Sequence, residues 1–233
     1  MTAQKARPTA VQWVRTPHQD RSRKTLERLL DSAEALLEER GFDTVSVAEI
    51  AQAAGSSVGA FYARFRDKNG LLHHLHERFC EEAMATSDAA LAPERWADAT
   101  VVDILSDVVR SMAEIYRTRR GMFRAFMMVG CTDPRFKERD RRLVQHFLSR
   151  LTGLLLARRA EIEHPDPEFA IAFGMELVAG VLRDRYIFDS EAGGVWPAAT
   201  EALVPELIRA YGCYLGLRGT AEQTPSVPQV VGS

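Results

Sequence analysis

Cysteine, net charge and long apolar runs are all scarce in this chain of 233 residues, and each scarcity excludes a class of protein. Three cysteines, odd in number and scattered, fit free thiols in a reducing cytoplasm better than disulfides or a structural zinc site. The longest apolar run near the middle, Phe126 to Cys131, is far too short to span a bilayer. The first residues lack the long apolar segment of a secretory signal. We therefore expect a cytoplasmic protein with no membrane association.

The balance of charges is close to even, with 30 basic and 32 acidic residues and a net charge of −2. Any contact with nucleic acid must therefore depend on a local basic surface rather than on the overall field of the protein. Apolar residues make up 46% of the chain, which is enough for a substantial core. The sequence contains no strong strand signals and no internal repeats, whereas apolar residues recur at helical spacing along most of the chain. These patterns predict an all-α protein.

The most specific stretch runs from Val45 to Leu72 and reads VSVAEIAQAAGSSVGAFYARFRDKNGLL. Ser46 and Glu49 have the spacing of a capping box, which marks the start of a helix. Gly55 ends that helix, because glycine takes the left-handed conformation without a side-chain clash. A serine caps the short helix that follows, and Asp67 caps the helix after it. A helix, a tight glycine turn and a short helix predict a helix-turn-helix, whose second helix enters the major groove of DNA.

The helix ahead of this motif is predicted from apolar residues at helical spacing, and Gly41 ends it. Together with the two helices of the motif it forms a compact three-helix unit of residues 20–66. Four basic side chains stand near its start: Arg21, Arg23, Lys24 and Arg28. A run of charges is usually a solvated helix face, but a position just ahead of a helix-turn-helix also suits contacts with DNA phosphates. Both interpretations remain open from the sequence.

The residue pattern of this N-terminal third resembles that of the TetR family of bacterial transcriptional regulators. The resemblance is carried by Gly41, Phe42, Thr44, Val45, Ile50, Ala51, Ala54, Gly55, Gly59, Phe61, Tyr62, Phe65, Lys68, Leu71 and Leu72. It implies an N-terminal three-helix helix-turn-helix domain of the homeodomain-like kind and a larger C-terminal helical domain for ligand binding and dimerisation. The implied divisions are a flexible N-terminal arm at 1–19, the DNA-binding domain at 20–66, the helical domain at 67–217 and a disordered tail at 218–233.

The resemblance assigns DNA contacts to the N-terminal unit residue by residue. Helix starts and hydroxyl groups suit anions, and the resemblance places phosphate contacts at Thr44, Ser46, Tyr62 and Lys68. The basic cluster ahead of the motif would add Arg21, Arg23 and Lys24 by its position. The base edges would face small residues that let the helix lie deep in the groove: Ser56, Ser57, Gly59 and Ala60. For the two serines, helix capping alone remains an open alternative.

Aromatic and methionine side chains form a second candidate site in the C-terminal part. Such residues at helical spacing are usually ordinary core, and that interpretation stays open for each of them. Regulators of the TetR family hold a ligand cavity among the middle helices, so the resemblance implies that some line a pocket: Trp96, Tyr116, Phe123, Phe126, Met127, Phe147, Phe173 and Met175. Tyr116, which brings a hydroxyl to an otherwise apolar helix, is the candidate polar anchor.

The last two helices, at about 168–188 and 198–217, carry extended apolar faces. Ala170 and Gly174 are small enough to permit close contact between helices. In the TetR family the final two helices pair with those of a second copy as a four-helix bundle, so the resemblance implies a homodimer. Such a dimer would present two recognition helices to a palindromic operator in double-stranded DNA. Packing within one chain would produce the same pattern.

Metal and catalytic chemistry find little support in the sequence. His73 and His76 are three residues apart, but the segment HHLHE lacks the His-Glu-x-x-His order of zinc peptidases. No nucleophile or phosphate-loop motif stands out, so we predict no metal, no cofactor and no enzymatic activity.

The sequence therefore predicts a ligand-responsive DNA-binding transcriptional regulator. We expect a repressor that leaves its operator when a small apolar or amphipathic molecule binds the C-terminal domain. The alternative is an architectural or scaffold protein that binds DNA on the same fold without an inducer. A filled core between residues 99 and 180 would favour that alternative.

Overall fold

The computed structural model describes residues 17–130, 132–188 and 200–217, with the backbone alone for 17–21 and 200–201. Only helices, two short 3₁₀ turns and connecting loops occur in these residues, which confirms the all-α prediction. The helices are α1 (Pro17–Arg40), α2 (Val47–Ala53), α3 (Val58–Tyr62), α4 (Lys68–Ala90), α5 (Val101–Thr118), α6 (Arg120–Gly130), α7 (Pro134–Leu156), α8 (Pro167–Ile187) and α9 (Thr200–Leu215). None of the helices in these ranges combines enough length and apolar character to cross a membrane.

Polar side chains cap the helix starts where the sequence predicted them. Ser46 accepts a hydrogen bond from the Glu49 amide, and the Glu49 carboxylate accepts one from the Ser46 amide, so the capping box is complete. The Asp67 carboxylate accepts from the Gly70 amide at 2.8 Å and starts α4. Because α1 begins at Pro17, the end of the predicted arm at 1–19 belongs to a helix. Residues 1–16 and the predicted tail at 218–233 lie outside the described residues.

One apolar core joins the first four helices to the middle of the chain. Four of its buried members come from α6 and α7: Met122, Ala125, Phe126 and Phe136. The core of the N-terminal helices therefore continues past the predicted division between 20–66 and 67–217. A second core lies mainly among α5, α7, α8 and α9.

The N-terminus of α6 rests directly on the backbone of α1. The Glu38 carboxylate accepts hydrogen bonds from the amides of Gly121 and Met122, at 2.7 and 2.8 Å. An ideal Cβ on Gly121 would stand 2.2 Å from the Leu37 carbonyl oxygen. Glycine is therefore required at this position for the two helices to approach so closely.

Ion pairs reinforce the attachment of α1. The Arg78 guanidinium of α4 donates to Asp31 at 2.5 Å and to Glu34 at 2.8 Å. Glu34 also pairs with Arg119, which caps the C-terminus of α5 directly ahead of α6. Since two carboxylates of α1 meet guanidinium groups from two later elements, α1 is tied to both α4 and the start of α6.

Candidate DNA-binding interface

Helices α2 and α3 are joined by a tight turn at Gly55. Its φ angle is +57°, and the amides of Gly55 and Ser56 donate to the carbonyls of Gln52 and Ala51 at 3.0 and 2.8 Å. Residues with a side chain rarely adopt this left-handed conformation, which is why glycine ends α2 as predicted. The arrangement is a helix-turn-helix.

Helix α3 buries one side and exposes the other. Phe61 and Phe65 anchor it, with 0% and 2% of their surfaces exposed. The Ser57 hydroxyl oxygen accepts from the Ala60 amide at 3.1 Å, which leaves the hydroxyl proton available for another acceptor. Of the residues predicted to face the groove, Ser57 and Gly59 are exposed, whereas Ser56 and Ala60 are half-buried.

The exposed side of α3 has open space above its backbone. An ideal Cβ on Gly59 meets only the Ser57 hydroxyl, at 3.8 Å. Tyr62 is 55% exposed and packs its ring edge-on against Phe61, with 5.4 Å between ring centroids. Its hydroxyl donates to no other group in the part of the chain that the structure describes. This face can therefore approach a flat surface closely, with one phenol hydroxyl free to donate.

The hydroxyl groups of Thr44 and Ser46 are already engaged within the protein. Thr44 Oγ1 lies 2.5 Å from the Arg40 carbonyl oxygen, and Ser46 Oγ lies 2.6 Å from Glu49 Oε2. The Ser46 hydroxyl and amide, followed by Arg40, lower the pKa of Glu49 to about 2. Both residues are exposed beside the start of α2, where first-turn amides remain to bind an anion. Their roles as phosphate contacts stay predictions.

Lys68 is used structurally as well. Its ammonium group donates to the carbonyl oxygens of Phe42 at 2.5 Å and Val45 at 2.9 Å. The same Nζ lies 4.3 Å from the centroid of the Phe42 ring. Lys68 therefore holds the loop between α1 and α2 against the start of α4, and only its remaining N–H is available to a phosphate.

We expect Lys68→Met to lower the free energy of unfolding by about 1–3 kcal/mol, because the substitution leaves two half-buried carbonyl oxygens without their donor. Lys24→Met is the matched control, since Lys24 is exposed on α1, and its effect should stay within about 0.5 kcal/mol. Urea unfolding followed by circular dichroism compares the two. Equal stability of both variants would contradict the structural role of Lys68.

The basic cluster at the start of α1 is partly described. Arg23 and Lys24 are exposed, and Arg23 Nε lies 3.7 Å from the Glu27 carboxylate. Arg21 belongs to α1, but its side chain lies outside the described residues. Whether these side chains contact phosphates or only solvent stays a prediction.

Two further arginines follow α3, and sequence reasoning missed both. Arg64 donates to the Ala60 carbonyl at 2.8 Å and to the Ser22 hydroxyl at 3.2 Å, so it ties the end of α3 to α1. Arg66 is exposed two residues further on. The sequence feature that could have indicated them is their position directly after the short helix of the motif, where a basic side chain is close to any DNA that the helix contacts.

The candidate ligand residues are divided between the two cores. Trp96, Phe147 and Met175 pack in or against the core of α5 and α7–α9, and the Trp96 indole donates to the Ala90 carbonyl at 2.7 Å. Phe123 and Phe126 belong to the core of the N-terminal helices. Met127 is half-buried on α6.

Tyr116 and Phe123 meet at the junction of these cores. Their rings stack with 4.8 Å between centroids and 20° between planes, which joins α5 to α6. Burial raises the pKa of Tyr116, so its hydroxyl remains a protonated donor at neutral pH. This pair is the part of the predicted set that unites an aromatic surface with a polar group.

Phe173 lies elsewhere, on the outer side of α8. It is 42% exposed and stacks on Phe169, with 5.6 Å between ring centroids and 12° between planes. Its other aromatic neighbour is Tyr214 of α9. Phe173 is therefore partly exposed at the surface of α8, and its role as a pocket residue stays a prediction.

Comparison with known proteins agrees with this geometry. The family model for bacterial regulatory proteins of the tetR family matches residues 29–75. The HTH-type transcriptional repressor ComR of Escherichia coli is 27% identical over 103 residues, covering 44% of this chain and 48% of ComR. This chain thus matches about half the length of that curated relative.

Solved structures extend the likeness to the whole fold. A TetR-family regulator from Mesorhizobium loti superposes with a TM-score of 0.63 at 17% identity, covering 83% of this chain and 97% of that chain. RolR, solved in complex with resorcinol, superposes with a TM-score of 0.55 at 19% identity, covering 91% and 100%. At these identities the likeness concerns the fold alone. Residues 29–75 therefore match the tetR family of bacterial regulatory proteins, and the fold of the described residues is similar to that of TetR-family regulators.

Proposed function

We propose that this protein is a cytoplasmic repressor that binds a palindromic operator as a homodimer and leaves it when a small apolar or amphipathic molecule binds the C-terminal domain. The observation that carries the proposal is the open face of α3, where Ser57 and Gly59 are exposed above a firmly anchored helix. That ComR is a transcriptional repressor supports the direction of regulation.

The DNA contact follows from the shape of that face. Small residues allow the α3 backbone to approach the floor of the major groove, and the free Ser57 proton can reach a base acceptor. Tyr62 is exposed at the end of α3 and Arg66 is exposed shortly after it, so both would contact phosphates beside the groove. Arg64 and Lys68 hold the reading head (the helix-turn-helix of α2 and α3) in place, because Arg64 donates to the Ser22 hydroxyl of α1 and Lys68 donates to the Phe42 carbonyl oxygen.

Exposed apolar side chains on α8 support the homodimer. Four of them follow at four-residue spacing with 58, 42, 51 and 41% of their surfaces exposed: Phe169, Phe173, Leu177 and Val181. An ideal Cβ on Gly174 would stand 2.0 Å from the Tyr211 ring, so α8 and α9 form one closely packed pair. An apolar face of this kind is stabilised when a second copy covers it.

Leu177→Glu should convert the dimer into a monomer, because a carboxylate at the centre of this stripe would be buried without a partner. The matched control is Val144→Glu on α7, which introduces the same charge at a position that is 53% exposed. Sedimentation velocity at fixed protein concentration measures both. A Leu177→Glu variant that sediments like the wild type would remove this face from the interface.

The junction of Tyr116 and Phe123 supports the ligand response. A small aromatic molecule that inserts between these rings would separate α5 from α6. Since α6 begins on the Glu38 carboxylate of α1, a shift of α6 is passed to the DNA-binding helices. RolR binds resorcinol, a molecule of suitable size for such a site. The ligand would favour a spacing of the two reading heads that does not fit the operator.

Selection of bound sequences from random duplex DNA tests the proposal, followed by fluorescence anisotropy of the selected duplex. We expect an inverted repeat, and a loss of affinity of about tenfold or more with an inducing molecule, with resorcinol as the first probe. Failure to enrich any sequence would contradict specific DNA binding. Molecules that bind the protein and leave its DNA affinity unchanged would favour the scaffold alternative.

A further inference from the structure

A buried polar cluster between α4 and α7 is not used by the proposed DNA contacts or by the ligand response. Its centre is His76, which is 1% exposed and stacks on the Phe136 ring with 4.3 Å between centroids. Cys80 lies one turn further along α4 and is 3% exposed. Asp140 of α7 is exposed and gives the cluster an opening to solvent. An imidazole buried in this way needs polar partners of its own.

Three metal-ligand atoms converge in this cluster. His76 Nε2 lies 3.6 Å from Cys80 Sγ and 2.8 Å from Asp140 Oδ1. All three atoms lie within 4.8 Å of one another, and no other such group occurs among the described residues. Tetrahedral zinc places nitrogen and sulfur ligands about 3.5 Å apart, which the first distance matches. It places nitrogen and oxygen ligands about 3.4 Å apart, a small adjustment for an exposed carboxylate.

We propose that His76, Cys80 and Asp140 bind one borderline-soft divalent cation of the zinc class, which would bridge α4 to α7. An imidazole nitrogen, a thiolate and one carboxylate favour such an ion over magnesium or calcium, which prefer oxygen ligands alone. On binding, the Cys80 thiol proton leaves to solvent. With the thiolate and the carboxylate, the ion forms a site of zero net charge. A fourth coordination position stays open to water.

The side chain of Arg139 must move away from His76 before a cation can bind. Its Nε donates to His76 Nδ1 at 3.1 Å, so in the metal-free protein the imidazole proton is on Nε2 and faces Asp140. An ion on Nε2 moves that proton to Nδ1, where it would oppose the Arg139 donor. Arg139 must therefore withdraw from His76, and it also donates to His73 at 2.9 Å. The ion and Arg139 compete for the same imidazole.

This competition gives the cation a structural effect. Replacing the arginine contact by coordinate bonds changes how α7 is held against α4, the helix that begins at the reading head with Lys68. The consequence for DNA affinity rests on the proposed function. The binding site itself does not, so it is tested on the protein without DNA.

Cobalt(II) titration of the reduced, metal-free, full-length protein tests the site. We expect one equivalent to produce a thiolate-to-cobalt charge-transfer band and the strong visible bands of tetrahedral cobalt, and one equivalent of zinc to abolish them. Cys80→Ser should remove the thiolate band, whereas Cys213→Ser, at an exposed position on α9, should retain it. No band in the wild type, or a band that persists in Cys80→Ser, would overturn the proposal.

Two further variants guard against a folding artefact. Asp140→Asn changes a side chain that is 58% exposed, so the fold should persist while cobalt affinity falls about tenfold or more. Arg139→Gln should raise the affinity about tenfold, because a glutamine oxygen can accept the proton on Nδ1 that arginine opposes. Unchanged affinity in Asp140→Asn would exclude the carboxylate, and with it the proposed triad. Unchanged affinity in Arg139→Gln would overturn the competition.

Discussion

Gly59→Glu is expected to abolish specific DNA binding while leaving the fold intact. The position is exposed, and an ideal Cβ meets only the Ser57 hydroxyl at 3.8 Å, so a glutamate side chain fits the free protein. A glutamate in a helix also loses less backbone entropy on folding than a glycine does, which favours the folded state. Against DNA, however, the same side chain would place a carboxylate among base edges and phosphates. We expect affinity to fall about a hundredfold or more, which corresponds to about 2.7 kcal/mol or more.

The control for this variant is Gly153→Glu on α7, which adds the same charge where an ideal Cβ meets no atom within 4 Å. Anisotropy of a labelled selected duplex at one fixed salt concentration measures both proteins, since DNA affinity depends steeply on salt. Thermal unfolding of each verifies the fold. Equal losses in the two variants would indicate a general charge effect, and wild-type affinity of Gly59→Glu would exclude α3 as the groove helix.

The sequence allowed the reading head to be predicted because its determinants are local. The capping box of Ser46 and Glu49, the left-handed turn at Gly55 and the cap at Asp67 each involve residues no more than five positions apart. Such contacts depend on the local geometry of helix starts and ends, so a sequence pattern can predict them. The exposed face of α3 follows in turn, since burial of Phe61 and Phe65 leaves only the opposite side free.

The remaining features depend on which helices become neighbours, and no local pattern indicates that. The Lys68 ammonium bonds a carbonyl 26 residues away, so a predicted phosphate contact proves to be a structural anchor as well. Phe173 is an aromatic residue of the kind that often lines pockets, but the orientation of α8 leaves it partly exposed at the surface. Asp140 comes to His76 across 64 positions. Of that cluster, the sequence shows only the one-turn spacing of His76 and Cys80 on α4.

Contacts between distant segments also explain why α6 has its own requirement for glycine. Gly121 lies against the backbone of α1, where an added Cβ would stand 2.2 Å from the Leu37 carbonyl oxygen and 2.8 Å from the Glu38 Cα. Backbone atoms cannot rotate away as a flexible side chain can, so α6 must move outward as a whole. The movement would also lengthen the hydrogen bonds from the Glu38 carboxylate to the first amides of α6.

Gly121→Ala should therefore lower the free energy of unfolding by about 3 kcal/mol, at the upper end for an overpacked site. Gly153→Ala is the matched control, because it lies in a helix with open space around it and should be neutral or stabilising by up to about 1 kcal/mol. Both are measured by denaturant unfolding at one protein concentration, since the proposed dimerisation would make stability concentration-dependent. Equal stability of the two variants would contradict the close approach of α1 and α6. Because that contact links the C-terminal domain to the reading head, a folded Gly121→Ala protein should also lose most of its response to an inducing ligand.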